Sequence, residues 1–320
     1  MNSIQQIDAE RVRSVFFPYA TQRLAALKAH KARLVHYTSA EVAVSILKNR
    51  EVWMRNATTM NDYMEVEHGI ECLHHAYKGE AGQLFKKVLD ENFPGAAAEI
   101  ETRFNAWLPE LRRDTYLTCV SEHHDSEDTY GRLSMWRAYG GKTGVALVLN
   151  SAPFYSETNV LKAYSSPVAY LDEAQFASHF AEVVAGMASA TDLIQQIGRE
   201  QIFRLTFNML RFAVLCTKHP GFQEEQEWRV IYSPTMELSE RIVASIETVG
   251  GTPQKVFKIP LRNVPEQGLY GMEVPEIIDR IIIGPTKFPG AIYQAFHQIL
   301  IDLGVPNPEQ RIAVSDIPLR

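Results

Sequence analysis

The stretch GVALVLN, residues 144–150, places the strongest constraint on the fold. A continuous apolar run of this length is typical of a strand buried on both faces. Helical segments of unequal length separate the other strand-like stretches, with no regular βαβ alternation and no glycine-rich phosphate loop. The pattern predicts an α+β fold and not a doubly wound nucleotide-binding fold. The other predicted strands are LVHYTS, EVWMRN, TYLTCVSE, KVFKIPL, DRIIIGPT and a last strand near RIAVSDIPL.

The same pattern suggests a domain organisation. Residues 1–33 are predicted to form an N-terminal helical segment, and residues 34–320 a single α+β, catalytic-like domain. A long region at about 171–217 carries Phe176, Phe180 and Val184 at helical spacing. We predict that it is a helical insertion between strands.

Composition limits the classes of function. With 320 residues, 46% of them hydrophobic, the chain can bury a substantial core. It has no apolar run near the length of about 20 residues that a membrane span needs, and no apolar signal core, so we expect a cytoplasmic protein without membrane partners. The net charge of −6 argues against a broad nucleic-acid-binding surface and fits a small-molecule or protein partner better. Three widely separated cysteines support neither disulfides nor a zinc site, and no metal is expected.

The segment EEQEWRVIY places charges in a strand. If the strand begins near Glu225, then Glu225, Glu227 and Arg229 share one face, because side chains alternate along a strand. The opposite face carries Trp228 and is predicted to be core. A row of charges is costly to bury without partners, so the charged face is expected to line a cleft. A solvated edge strand is the other interpretation.

Further candidate residues lie elsewhere in the chain. His36 lies in a predicted strand with Thr38 on its side and Tyr37 on the other. Such a histidine is either a satisfied core residue or a ligand-binding one. Asn61 or Asp62 is placed to cap a helix, with Glu65 in its first turn, or else to border a cleft. Trp136 and Tyr139 can form one aromatic patch, either core or able to stack a ring, near Arg132 and Arg137.

These motifs together resemble a bacterial family of unknown function, domain family 2971. The shared motifs, in the order of the family, are HYTS with a following Ile-Leu-Lys-Asn, MNDYMEVEHG, SMWRAYGGKTGVAL, K-x-x-x-F-x-x-E-x-E-W-R and IIIGPTKFPG. They span most of the chain from about residue 34. One departure is Tyr63 after Asn61-Asp62, where the family often has proline.

A looser similarity connects the chain with the ADP-ribosyltransferase superfamily, through a histidine on a first strand and a late Glu-x-Glu. The resemblance implies a mixed, split β-sheet with flanking helices, and NAD as a substrate. It further implies that His36 holds the nicotinamide ribose, that Glu227 is the catalytic carboxylate, and that Glu225 orients the acceptor, a protein or nucleic acid. Tyr37, Thr38, Asn61, Asp62, Trp136, Tyr139 and Arg229 are then candidates for contacting NAD. Such an enzyme could act as a toxin or an antiphage effector.

Two other classes of function remain open. The first is a metal-dependent hydrolase or nuclease that uses Asp62, Glu65, Glu225 and Glu227 as ligands for Mg²⁺ or Mn²⁺. The second is a non-catalytic sensor or interaction module in which Glu225, Glu227 and Arg229 form a structural ion-pair network. The sequence leaves the oligomeric state open. It also leaves open whether His36 and Glu227 face the same cleft, on which the transferase mechanism depends.

Overall fold

A computed structural model describes residues 8–59 and 63–318 of the chain. It divides into two compact units, each assembled from separate stretches of chain. The helical unit comprises the described residues of 1–25, 57–114 and 166–223, and the sheet unit those of 26–56, 115–165 and 224–320. This division differs from the predicted single domain over 34–320, because the helices of the predicted insertion belong to a unit that also includes earlier helices. No helix among the described residues is long and apolar enough to cross a membrane.

Helices and strands both occur along the chain, without regular alternation. In the described residues the helices are α1 (Ala9–Phe16), α2 (Pro18–Ala29), α3 (Ala40–Asn49), α4 (Tyr63–Lys78), α5 (Glu80–Asn92), α6 (Ala96–Asp114), α7 (Leu133–Met135), α8 (Glu173–Ser189), α9 (Thr191–Ile197), α10 (Arg199–Leu215), α11 (Val274–Ile277) and α12 (Pro289–Asp302). The strands are β1 (Arg33–Ser39), β2 (Glu51–Asn56), β3 (Tyr116–His123), β4 (Gly144–Leu149), β5 (Tyr164–Pro167), β6 (Ala169–Tyr170), β7 (Thr217–Lys218), β8 (Glu227–Tyr232), β9 (Val243–Val249), β10 (Thr252–Pro260), β11 (Ile278–Ile283) and β12 (Ile312–Val314).

The helical unit packs α4 against α5, α8 and α10. Helix α8 begins with a capping box, in which the backbone N–H of Gln175 donates to the Asp172 carboxylate and the backbone N–H of Asp172 donates to the Gln175 side chain. The α4–α10 contact is close because Gly69 has no side chain. A Cβ atom there would lie 2.2 Å from the backbone oxygen of Val214.

The sheet unit is built on one open sheet. Its strand order is β12-β11-β4-β1-β3-β2-β10-β9, and β8 pairs with β3 off this path. The β11–β12 pair is parallel, whereas the pairs β1–β3, β1–β4, β4–β11 and β3–β8 are antiparallel, so the sheet is mixed. Helices α3 and α12 flank it. The predicted α+β class with a mixed sheet and flanking helices is thus confirmed, and GVALVL of β4 is a central strand, with residues 145–148 fully buried.

The two faces of this sheet carry different residues. Across β1 and β4, His36 lies opposite Leu147 and Tyr37 lies opposite Ala146. We call the two sides the His36 face and the Tyr37 face. The Tyr37 face buries Val35, Tyr37, Trp136, Ala146, Val148 and Ile282 as one cluster, and the His36 face packs Leu147 into a larger core with residues of α3 and α12.

Strand β8 begins two residues later than the sequence suggested. Glu225 ends a 3₁₀ turn, Pro220–Glu225, and Gln226 has a left-handed backbone with φ of 45°. This conformation interrupts the extended chain, so regular alternation starts only at Glu227. The prediction of a strand from Glu225 is wrong, and alternation does not place Glu225 on the face of Glu227.

Arg132 holds this junction against the rest of the sheet. Its guanidinium donates to the backbone carbonyls of Glu224 (2.6 Å) and Glu122 (2.9 Å), and to the Glu127 carboxylate at 2.8 Å. The backbone N–H of Arg132 donates to the Tyr37 hydroxyl at 2.8 Å. Burial alone raises the pKa of Glu127, but the hydrogen bond and charge of Arg132 outweigh burial and hold that pKa below its ordinary value. One residue therefore connects β1 through its backbone N–H, and β3 and the start of β8 through its side chain.

Two glycine substitutions should change stability in opposite directions. We expect Gly69→Ala to lower the free energy of unfolding by about 1–3 kcal/mol or more, because the new methyl group meets the backbone of α10. Gly186 lies within α8, and a Cβ atom there would lie 4.0 Å from the backbone oxygen of Val15, an ordinary van der Waals distance. Gly186→Ala should therefore raise the free energy of unfolding by about 0.5–1 kcal/mol, since alanine loses less backbone entropy. Urea unfolding followed by circular dichroism measures both values, and a neutral Gly69→Ala would contradict the close packing.

Candidate functional site

A cavity of about 120 Å³ lies on the His36 face of the sheet unit. Apolar side chains form most of its wall, among them Val120, Leu147 and Val230. The polar residues in the wall are His36 from β1, Thr118 from β3 and Ser165 from β5. A space of this volume exceeds the roughly 30 Å³ that one water occupies in the liquid and approaches that of cavities known to admit benzene. An apolar site with a few convergent polar groups is the usual form of a small-molecule site.

The position of His36 fixes which of its nitrogens carries the proton. Its Nδ1 lies 2.9 Å from the backbone oxygen of Cys119, which can only accept, so Nδ1 donates and Nε2 keeps a free lone pair in the neutral ring. Burial lowers the pKa of His36, and the hydrogen bond with Cys119 opposes this effect without cancelling it. His36 is therefore a neutral hydrogen-bond acceptor at pH 7.

The hydroxyl-bearing residues in the cavity wall are Thr118 and Ser165, and not the expected Thr38. Thr38 shares the His36 face, but the threonine in the cavity wall is Thr118. The hydroxyl of Ser165 donates to the backbone oxygen of Phe154 at 2.5 Å, so its proton is already used. Sequence reasoning missed Thr118 and Ser165. The alternation of TYLTCVSE could have indicated Thr118, whereas Ser165 has no comparable sequence signal.

Glu227 and Arg229 form a buried ion pair. The Nε of Arg229 donates to Oε1 of Glu227 at 2.8 Å, and Glu227 and Arg229 are only 5% and 1% exposed. The two charges compensate each other, which satisfies the requirement for burying them. The structure thus buries the charged face of β8, where the sequence led us to expect the wall of an open cleft.

His36 and Glu227 lie on opposite faces of the sheet. Val35 lies opposite Ser121 across β1 and β3, and Ser121 lies opposite Glu227 across β3 and β8. Residues that lie opposite each other point to the same face, so Glu227 shares the face of Val35, while the adjacent His36 points to the other. The assignment of both residues to one NAD site is therefore wrong, since the sheet separates their side chains.

The aromatic candidates belong to the Tyr37 face. Tyr37 packs edge-on against Trp136 with ring centroids 4.8 Å apart, and both are buried. Burial raises the pKa of Tyr37 to about 12. Tyr139 is exposed, and its hydroxyl donates to the Glu225 carboxylate at 3.3 Å. Trp136 and Tyr139 thus have different partners, and the ring of Trp136 is used in packing.

The remaining candidates concern the metal hypothesis. Asn61 and Asp62 lie outside the described residues, and so does the side chain of Glu65. Within residues 8–59 and 63–318, no group of three or more histidine, cysteine, aspartate or glutamate residues is arranged to hold a metal ion. Glu227 has Arg229 as an ion-pair partner. The described residues give the metal-dependent hydrolase no geometric support.

Comparisons with known proteins locate one match. Residues 135–230 match the model of a family described as "Protein of unknown function (DUF2971)". No curated protein and no solved structure matches the chain. The matched segment contains the aromatic residues Trp136 and Tyr139, strand β4 and the Glu227–Arg229 pair. The resemblance inferred from the motifs is thus confirmed for residues 135–230, the segment that is similar to the DUF2971 family.

Proposed function

We propose that the sheet unit is a small-molecule-binding module, a sensor, whose ligand is largely apolar and carries one N–H or O–H group. The observation that carries this proposal is the cavity of about 120 Å³ with His36 in its wall. The apolar wall favours burial of a hydrocarbon body, which contributes about 25 cal/mol per Å² of apolar surface removed from water.

The polar groups of the cavity define the ligand further. A neutral His36 whose Nδ1 is already donating can offer only Nε2, an acceptor, so it selects a donor on the ligand. The Thr118 hydroxyl can accept or donate. A charged ligand is disfavoured because the described residues of the wall include no ion-pair partner for it, and burying an unpaired ion is costly. Phenols and indoles are ligands of the required chemistry.

The buried ion pair agrees with a non-catalytic role for β8. A carboxylate bound by its own arginine neighbour is already compensated, and removing one partner of a buried ion pair is destabilising. The Glu227–Arg229 pair then supports the sheet on the Tyr37 face, and the ligand occupies the His36 face.

Filling the cavity should abolish binding. We expect phenol to raise the melting temperature, and to bind about fivefold more tightly than toluene, because one net hydrogen bond is worth about 1 kcal/mol. Val230→Phe replaces an isopropyl group of the wall with a larger aromatic ring and should remove the response to both compounds. Val42→Phe, on the exposed side of α3, is the matched control and should retain it. Differential scanning fluorimetry and calorimetric titration supply the measurements, and equal phenol binding by both variants would contradict the proposal.

Binding should depend on pH through His36. Because burial lowers the pKa of His36 below its ordinary value of 6.5, the neutral acceptor predominates at pH 6.5 and above. Phenol affinity should be higher at pH 8 than on the acid side of pH 6.5, where it falls as the ring gains a proton and loses its acceptor. Toluene affinity, measured in the same titrations, controls for changes in the fold. In His36→Gln the acid-side loss of phenol affinity relative to toluene should disappear, and if it persists, another group is responsible.

An NAD-consuming, ADP-ribosyltransferase-like activity is the second candidate. The observation that favours it is that Glu227 shares a face of the sheet with Tyr37, and the aromatic ring of Trp136 packs there as well. Glu227 would stabilise the positive charge that grows on the ribose as nicotinamide leaves, and ADP-ribose would pass to a protein or nucleic-acid acceptor. In this transferase mechanism His36 has no catalytic role. The transferase activity would be that of a toxin or an antiphage effector.

Nicotinamide release separates the two candidates. If the transferase proposal holds, the wild-type chain releases nicotinamide from NAD in the presence of cell extract as the acceptor source. Glu227→Gln should slow this release through the loss of several kcal/mol of transition-state stabilisation, while His36→Phe should retain it. Glu225→Gln is the matched carboxylate control, and circular dichroism must show each variant folded. Absence of release from the wild type, or equal release by Glu227→Gln, would eliminate the candidate.

A further inference from the structure

Strand β9 forms one edge of the sheet. It runs from Val243 to Val249 and pairs with β10 on one side, at the end of the strand order. Among the described residues no strand pairs with its other side. An edge strand presents alternate backbone N–H and C=O groups that another strand can bind.

The edge lacks the features that usually prevent strand pairing. Strand β9, of sequence VASIETV, contains no proline and no lysine, and its pairing with β10 is regular throughout. Its one charged residue, Glu247, is bound by Lys258 of the same hairpin at 2.8 Å. Val243 and Ile246 are 61% and 70% exposed. A regular, largely apolar edge whose one charge is compensated is a site of strand addition.

The sequence of β9 is complementary to itself. When two copies run antiparallel with Ile246 opposite Ile246, every residue of the strand has a partner. Val243 then lies opposite Val249, Ala244 opposite Thr248, and Ser245 opposite Glu247. No like charges are directly opposite, and the two isoleucines and both valine pairs bury apolar surface. A register shifted by two residues leaves residues unpaired at both ends.

We propose that β9 is a homodimer interface, in which two copies of this chain pair their β9 strands antiparallel about a two-fold axis at Ile246. The pairing is isologous, so it uses the free edge of each copy and stops at the dimer. A contact built on one strand of seven residues is small, and the dimer is therefore reversible and dependent on concentration. The proposal does not depend on the ligand-binding function.

Sedimentation velocity over a dilution series of the full chain tests the association. The wild type should shift from monomer to dimer with concentration. Ile246→Lys places two ammonium groups opposite each other and removes the apolar pair, so dimerisation should weaken about 100-fold. Leu238→Lys is the matched control, because Leu238 is 73% exposed and precedes β9. This variant should dimerise as strongly as the wild type.

Cysteine cross-linking tests the register. In the proposed dimer the two Ile246 Cα atoms are about 4.5–5.5 Å apart, within the range for a disulfide. The Thr248 residues of the two copies are offset by four residues along the strand, so their Cα atoms are about 13 Å apart. Ile246→Cys should therefore form a covalent dimer under mild oxidation, and Thr248→Cys should not, with the wild type as the control for the native cysteines. A monomer at all concentrations, equal weakening by both lysine variants, or equal cross-linking at both positions would overturn the proposal.

Discussion

The hydrogen bonds of Arg132 hold the strands that define both faces of the sheet. The junction before β8 contains Gln226 in a left-handed conformation, which a residue with a side chain adopts only at some cost. Arg132 compensates this cost by binding carbonyl groups of Glu224 and Glu225 directly before it, and the Gln226 side chain at 3.2 Å. A planar guanidinium has enough donors to serve several acceptors at once, whereas a lysine ammonium does not have that geometry. This one side chain thus holds the three residues directly before β8.

The sequence predicted individual strands better than it predicted their relations. The uninterrupted apolar residues of β4 indicated a strand buried on both faces, and the structure has it at the centre of the sheet. Alternation in β8 correctly separated Trp228 from Glu227 and Arg229. It could not say where the alternation starts, because the left-handed residue Gln226 has no distinctive signal in a glutamate-rich segment.

The relation between His36 and Glu227 lies beyond what such patterns contain. Strands β1 and β8 each pair with β3, so the relative orientation of the two side chains depends on two registers in succession. A change of one residue in either register would bring them to the same face. Periodicity within a strand carries no information on the register between strands that are about 190 residues apart in sequence. The cavity was missed for a related reason, since its wall combines residues of β1, β3, β4 and β8.

The interleaving of the two units has a consequence for synthesis on the ribosome. Strand β2 ends at Asn56, yet one of its neighbours, β10, begins only at Thr252. At about 5–20 residues per second, the nascent chain carries an incomplete sheet for roughly ten seconds or more. Its early strands expose unpaired edges throughout that interval, while helices of the other unit emerge between them. Neither unit corresponds to a continuous segment of the chain, so neither can be completed before parts of the other have emerged.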